Sequence, residues 1–161
     1  MTVSIALWRI ATETKQYKAN DISGNGAANY PGRWNATGER VVYAAPSLAM
    51  AVLETAAHLD DTGLPLNRFV VQLTVPFATW KARQTLKLSD IDPAWCAIPS
   101  GKASVDVGST WYKAAASALL LVPSAIVPEE CAVLINATHA DAKGIKAKTI
   151  RPFEFNKLFR G

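Results

Sequence analysis

The stretch that most restricts how this chain can fold is GRWNATGERVVYAAPSLAMAVLETAAH, residues 32–58. It divides into a turn, a strand and a helix. Gly32-Arg33-Trp34-Asn35 is a turn carrying a cation and a large aromatic ring. Residues 40–45, RVVYAA, combine β-branched residues with a Tyr, which predicts a short strand. Residues 46–59 predict a helix. Pro46 and Ser47 mark its start, and Ala49, Met50, Leu53, Ala56 and Ala57 make an apolar stripe at helical spacing. Glu54 lies at the margin of that stripe. A carboxylate there costs free energy unless it is paired or used. Arg33, Tyr43 and Glu54 therefore sit on three consecutive elements that can bring them to one pocket. A plainer reading leaves Glu54 solvated, Tyr43 in the core and Arg33 as a surface charge, and the local pattern does not choose.

The rest of the composition narrows the class. A chain of 161 residues, half of them apolar and 19% charged, predicts one folded domain over 1–161 and argues against disorder. The net charge of +4 suits an anionic small ligand, an acidic protein or nucleic acid equally. Cys96 and Cys131 form neither a disulfide framework nor a CxxC zinc motif. His58 and His139 are far apart, so no metal cluster is expected. No apolar run reaches the roughly 18 residues that a membrane helix needs. The first ten residues, MTVSIALWRI, lack a basic leader and a cleavage site, so they read as a strand and the expected location is the cytoplasm.

Taken in order, residues 3–10 predict a strand ending in Trp8 and Arg9. Residues 12–32 have no periodicity and predict a long glycine-containing loop without a dinucleotide-binding or P-loop pattern. Residues 60–66 predict a break. Residues 68–75 alternate and predict a strand stopped by Pro76. Residues 97–107 predict a polar loop, and residues 106–120 a helix with Trp111, Ala114, Ala115 and Ala118 on one face. Two prolines frame Ser124 in PSAIVPEE, residues 123–130, which predicts a rigid extended segment. Such a segment aims a hydroxyl or is simply a turn. Residues 131–136 predict a buried strand, and residues 145–155 a closing strand with Lys and Arg on one side. Several strands around two helices give an α+β fold.

The order LWRIA, GRWN…VVYAA, AVLE, PSAIVP and the terminal PFEFNKLF resembles the RES domain family, over residues 8–159. That family takes its name from Arg, Glu and Ser. The resemblance implies a fold like that of ADP-ribosyltransferases, with central strands and flanking helices. It implies the toxin half of a bacterial toxin–antitoxin pair, with an Xre-type antitoxin as partner. It also implies attack on NAD at the nicotinamide–ribose bond, with water or phosphate as acceptor, or a protein in some members. Carried over position by position, the family's site residues fall on Arg9, Arg33, Tyr43, Glu54 and Ser124.

The chemistry agrees with those residue types. Arginine's planar fork pairs with phosphate oxygens, so Arg9 and Arg33 suit the pyrophosphate of NAD. The cationic nicotinamide ring stacks on an aromatic such as Tyr43. Glu54 can stabilise the oxocarbenium-like ribose, and Ser124 can orient ribose or the nicotinamide amide. NAD is then the substrate, with no prosthetic group and no metal expected. Three alternatives follow: an NAD-degrading toxin, a protein ADP-ribosyltransferase using the same pocket, and a non-enzymatic nucleic-acid-binding module. The last rests on Lys143, Lys146, Lys148 and Arg151 near the C-terminus. An assembly with the antitoxin is expected, and a basic pocket invites an acidic plug.

Overall fold

A computed structural model describes residues 3–58 and 67–160. In chain order the elements are β1 (Ser4–Thr12), α1 (Asn25–Asn29), β2 (Val41–Ala44), α2 (Leu48–Ala56), β3 (Arg68–Pro76), α3 (Phe77–Lys81), β4 (Gln84–Thr85), α4 (Lys102–Ala114), β5 (Leu119–Pro123), β6 (Cys131–Asn136), β7 (Lys146–Pro152) and α5 (Asn156–Arg160). Short 3-10 turns at Leu88–Asp90, Pro93–Cys96 and Ala140–Gly144 join them. The fold is α+β, as the sequence predicts.

The strands form two sheets. One has the order β1-β3-β7 and is antiparallel throughout. The other has the order β2-β6-β5-β4, with only β4 running parallel to its neighbour. The sheets meet at one bridge: the Trp8 and Ala45 backbones exchange hydrogen bonds of 2.9 and 2.8 Å.

Alternation along each strand sorts the side chains into three apolar layers. Leu7 and Ala11 of β1, Val42 and Ala44 of β2, Val71, Leu73 and Val75 of β3, and Leu119 and Val133 fill the space between the sheets. The opposite face of the second sheet, with Val41, Leu120, Val122 and Leu134, packs against Trp34, Trp95 and Trp111. The opposite face of the first sheet, with Ile10 and Val70, is covered by Met50 and Ala51 of α2 and by Phe155. The order is therefore helix, sheet, sheet, helix, a layered solution that buries the apolar faces of both sheets.

The local starts and stops have physical causes. Ser47 accepts a hydrogen bond from the Met50 amide at 3.2 Å, so α2 begins at Leu48 and not at Pro46. It ends at Ala56, with Ala57 and His58 in a turn, so it stops short of the expected end at residue 59. Residue 59 itself and the break expected over 60–66 lie outside the described residues. The loop expected over 12–32 holds the short helix α1.

The larger departure is α4. It runs from Lys102 to Ala114, whereas the alanine spacing predicts a helix over 106–120. Its buried residues are Ser104, Gly108 and Trp111. That is helical spacing whose first two positions, Ser104 and Gly108, are small, which an apolar count misses. Ala115 adopts φ 52°, the left-handed conformation that ends helices, and Leu119 then begins a strand. Among the described residues no helix is long and apolar enough to cross a membrane.

Candidate active site

The 32–35 turn is built by a dense hydrogen-bond set. Asn35 is buried, and its Oδ1 accepts from the Gly32 amide at 2.9 Å and from the Tyr43 hydroxyl at 2.7 Å. Its Nδ2 donates to the Ala27 and Ala36 carbonyls at 2.9 and 3.1 Å. The Tyr43 hydroxyl accepts in turn from the Trp34 amide at 3.1 Å. Gly32 is needed for this closeness: a Cβ there would lie 2.8 Å from Tyr43 Cζ and OH. Burial pushes the Tyr43 phenol well above its usual pKa. The hydroxyl is thus a fixed part of the turn. The ring is partly buried against the apolar layer of Trp34, Trp95 and Trp111.

Arg33 is aimed by the same turn. Its Nη1 donates to the carbonyls of Trp95 and Ala97 at 2.9 and 2.8 Å. Helix α4 holds the turn from behind. Ser104 Oγ donates to the Arg33 carbonyl at 2.8 Å, and Ser109 Oγ donates to Glu39 at 2.7 Å. Gly108 lies so close that a Cβ would sit 1.6 Å from the Trp34 carbonyl oxygen. Sequence reading did not single out Asn35, Ser104 or Gly108. The Asn in GRWN was the available signal for the first. The other two depend on a helix contact far away in the chain.

Arg9 follows Trp8, the bridge residue of β1. It shares its strand face with Leu7 and Ala11, the face directed between the sheets. Burial lowers its pKa from the usual value, with Asp21 and Tyr17 opposing that shift. Its Nε is buried without a hydrogen-bond partner. Glu54 lies on α2, which leaves the same bridge after Ala45. Its Oε1 is likewise buried and unpartnered. Among the described residues, four buried side-chain polar atoms lack partners, and these are two of them. Buried polar groups without partners are rare enough to call for an explanation. None of the ion pairs within 4.0 Å among the described residues joins Arg9 to Glu54.

Ser124 follows the last residue of β5 and is 1% exposed. Its Oγ accepts from the amides of Ile126 and Val127, both at 3.1 Å, and its own amide donates to the Glu130 carbonyl at 2.9 Å. The segment 124–130 is a turn capped by Ser124, not an extended arm. Strands β2 and β5 point the same way across β6, so Ser124 lies at the end of the sheet from which α2 departs. The structure therefore links Arg33 and Tyr43 through the turn, where the Trp34 amide and Asn35 bond the Tyr43 hydroxyl. It hangs Arg9 and Glu54 on the two segments that leave the Trp8–Ala45 bridge. Ser124 enters from the neighbouring strand end.

Residues 6–156 match the RES domain family. The chain is 46% identical over 154 residues to the Prs ADP-ribosylating toxin of Sphingobium sp. (strain YBL2), covering 96% of each chain. It is 32% identical over 133 residues to Toxin Res of Yersinia enterocolitica serotype O:8, covering 83% of this chain and 84% of that one. Among solved structures, a chain of the Mycobacterium tuberculosis MbcT–MbcA toxin–antitoxin complex has a similar fold. Its TM-score is 0.58 at 15% identity, over 94% of this chain and 86% of that one. The match spans nearly the whole sequence and includes every segment that builds the site, so this chain belongs to the RES domain family.

Proposed function

We propose that this protein is the toxin of a toxin–antitoxin pair and that it cleaves the nicotinamide–ribose bond of NAD. The observation that carries the reading is the pair of buried, unpartnered polar atoms, Arg9 Nε and Glu54 Oε1. One is a donor on a cation and the other an acceptor on a carboxylate. NAD presents the complement of each: phosphate oxygens for the guanidinium and ribose hydroxyls for the carboxylate. In this reading Arg9, with the Nε and Nη2 donors of Arg33, takes the pyrophosphate. The Tyr43 ring faces nicotinamide. Glu54 bonds the ribose and stabilises the positive charge that grows on C1′ as nicotinamide departs with the bonding electron pair. The acceptor oxygen or nitrogen then bonds C1′ and releases its proton. Ser124 acts through the shape of its turn, and its own O–H remains a donor.

For the acceptor, a protein has the better support, because the 46% identical relative is named an ADP-ribosylating toxin. Water or phosphate is the second reading, and the same pocket serves both. The experiment is incubation of the purified chain with NAD labelled in the adenosine half, with and without a bacterial lysate. The expected result is nicotinamide release and label transferred to protein in the lysate. Release to the same extent in buffer alone moves the acceptor to water or phosphate. No release in either case overturns the NAD reading. Expression of the chain alone in bacteria should arrest growth, and co-expression of the cognate antitoxin should restore it.

A further inference from the structure

Strand β7 is the edge of the first sheet, and its residues are mostly exposed. Its register against β3 shifts between Val70 and Val71. Gln72 faces Lys148 and Val71 faces Thr149, but Val70 faces Arg151, so Ile150 is an extra residue. A bulge of this kind re-aims the side chains beyond it. Without it, Ile150 would share the face of Lys146 and Lys148, and Arg151 would point to the other side. With it, Lys146, Lys148 and Arg151 all stand on one face, opposite Thr74, Gln72 and Val70. That is the outer face, which α2 covers only in part.

Arg151 also lines a hollow of about 660 Å³ between α2 and the C-terminal segment. Ala49, Val52, Phe153 and Leu158 give the hollow an apolar floor. Arg151 and Lys157 also line it, and the one carboxylate lining it among the described residues, Glu154, is already paired with Lys157 at 3.8 Å. The cation row therefore runs directly into an apolar trough. We propose that the row and the trough form one docking groove for an acidic, amphipathic segment of a protein partner. Apolar side chains of that segment would enter the trough, and its carboxylates would meet Lys146, Lys148 and Arg151. A nucleic acid would use the cations and leave the apolar floor uncovered. A second copy of this chain would set one cation row against another. Charge complementarity with an apolar anchor selects the acidic segment. This groove does not use Arg9, Arg33, Tyr43, Glu54 or Ser124, so it stands apart from the NAD reading.

The test measures binding by fluorescence anisotropy of three labelled probes, each about sixteen residues or nucleotides long. The first peptide has Glu and Asp on one helical face and Leu and Phe on the other. The second is its scrambled isomer, and the third is oligo-dT. The expected result is preferential binding of the ordered acidic peptide. Lys148→Glu with Arg151→Glu should weaken it more than tenfold, as should Lys146→Glu with Lys148→Glu. Leu158→Ser should weaken it severalfold. Both charge-reversed variants, checked for folding by circular dichroism, should keep the wild-type rate of NAD cleavage. Equal binding of the scrambled isomer overturns the proposal. So does insensitivity to both charge reversals, binding of oligo-dT alone, or no binding of any probe.

Discussion

The two sides of the candidate site treat their polar atoms differently. Around the 32–35 turn, Asn35, the Tyr43 hydroxyl and Arg33 Nη1 are bonded to neighbours within the protein. On β1 and on α2, Arg9 and Glu54 each keep a buried atom without any partner. A saturated group rigidifies the fold, while an unsaturated buried group costs free energy in the empty protein. Under the proposed function this is a division of labour: Asn35 and the Tyr43 hydroxyl hold the turn, and the free atoms of Arg9 and Glu54 are the ones that substrate would satisfy. Such a pattern is expected where a site trades stability for function.

Glu54→Gln should break the comparison most visibly if it is wrong. Removing the charge should cut nicotinamide release by on the order of a hundredfold or more, the scale for losing one electrostatic stabiliser. The thermal midpoint should barely move, since no partner is lost. Wild-type release by the variant would sink the assignment.

Arg9→Met comes next. NAD affinity should fall by roughly tenfold or more, because the lost contact is charge-assisted. Stability in urea should hold or rise, since replacing a buried charge by an apolar side chain of similar volume is often neutral or favourable. Calorimetric titration and urea melts read the two quantities. Retained NAD affinity with a large stability loss would place Arg9 in the scaffold.

The scaffold side should answer in the opposite sense. Asn35→Ala strands several buried donors and acceptors and should cost about 2–3 kcal/mol of stability, read by urea unfolding. A loss below about 0.5 kcal/mol would show that the turn is held by something else.

Tyr43→Phe sharpens the same point at smaller scale. It keeps the ring and removes the hydroxyl, so stability should fall by about 1 kcal/mol. Nicotinamide release should fall less than tenfold. A collapse of turnover with full stability would assign the hydroxyl a chemical role.

The sequence made some of this readable. Strand β6 was legible at both ends because CAVLIN is one apolar run between polar neighbours. The succession β2 to α2 was legible because strand and helix periodicities follow each other directly. Helix α4 was placed too late, because Ser104 and Gly108 bury a face without apolar bulk. The bulge at Ile150 left no sequence mark, and residues 145–155 read as one continuous strand although β7 ends at Pro152. The five residue types were legible from motif order. Their partners were not, since a hydroxyl's partner depends on contacts between distant segments. The residues that aim Arg33 come from positions more than sixty away.

The contact between Gly108 and the Trp34 carbonyl also sets a limit on inherited variation. A single methyl group at that place would overlap the oxygen, so the glycine can be replaced only if the backbone around it moves. The constraint is mutual, because α4 is seated on the backbone that carries Arg33. A descendant that loses the glycine must either move α4 outward, away from its bond to the Arg33 carbonyl, or shift the turn that carries Arg33. Drift at this one backbone contact is thus coupled to the placement of Arg33, although the glycine carries no reactive group of its own.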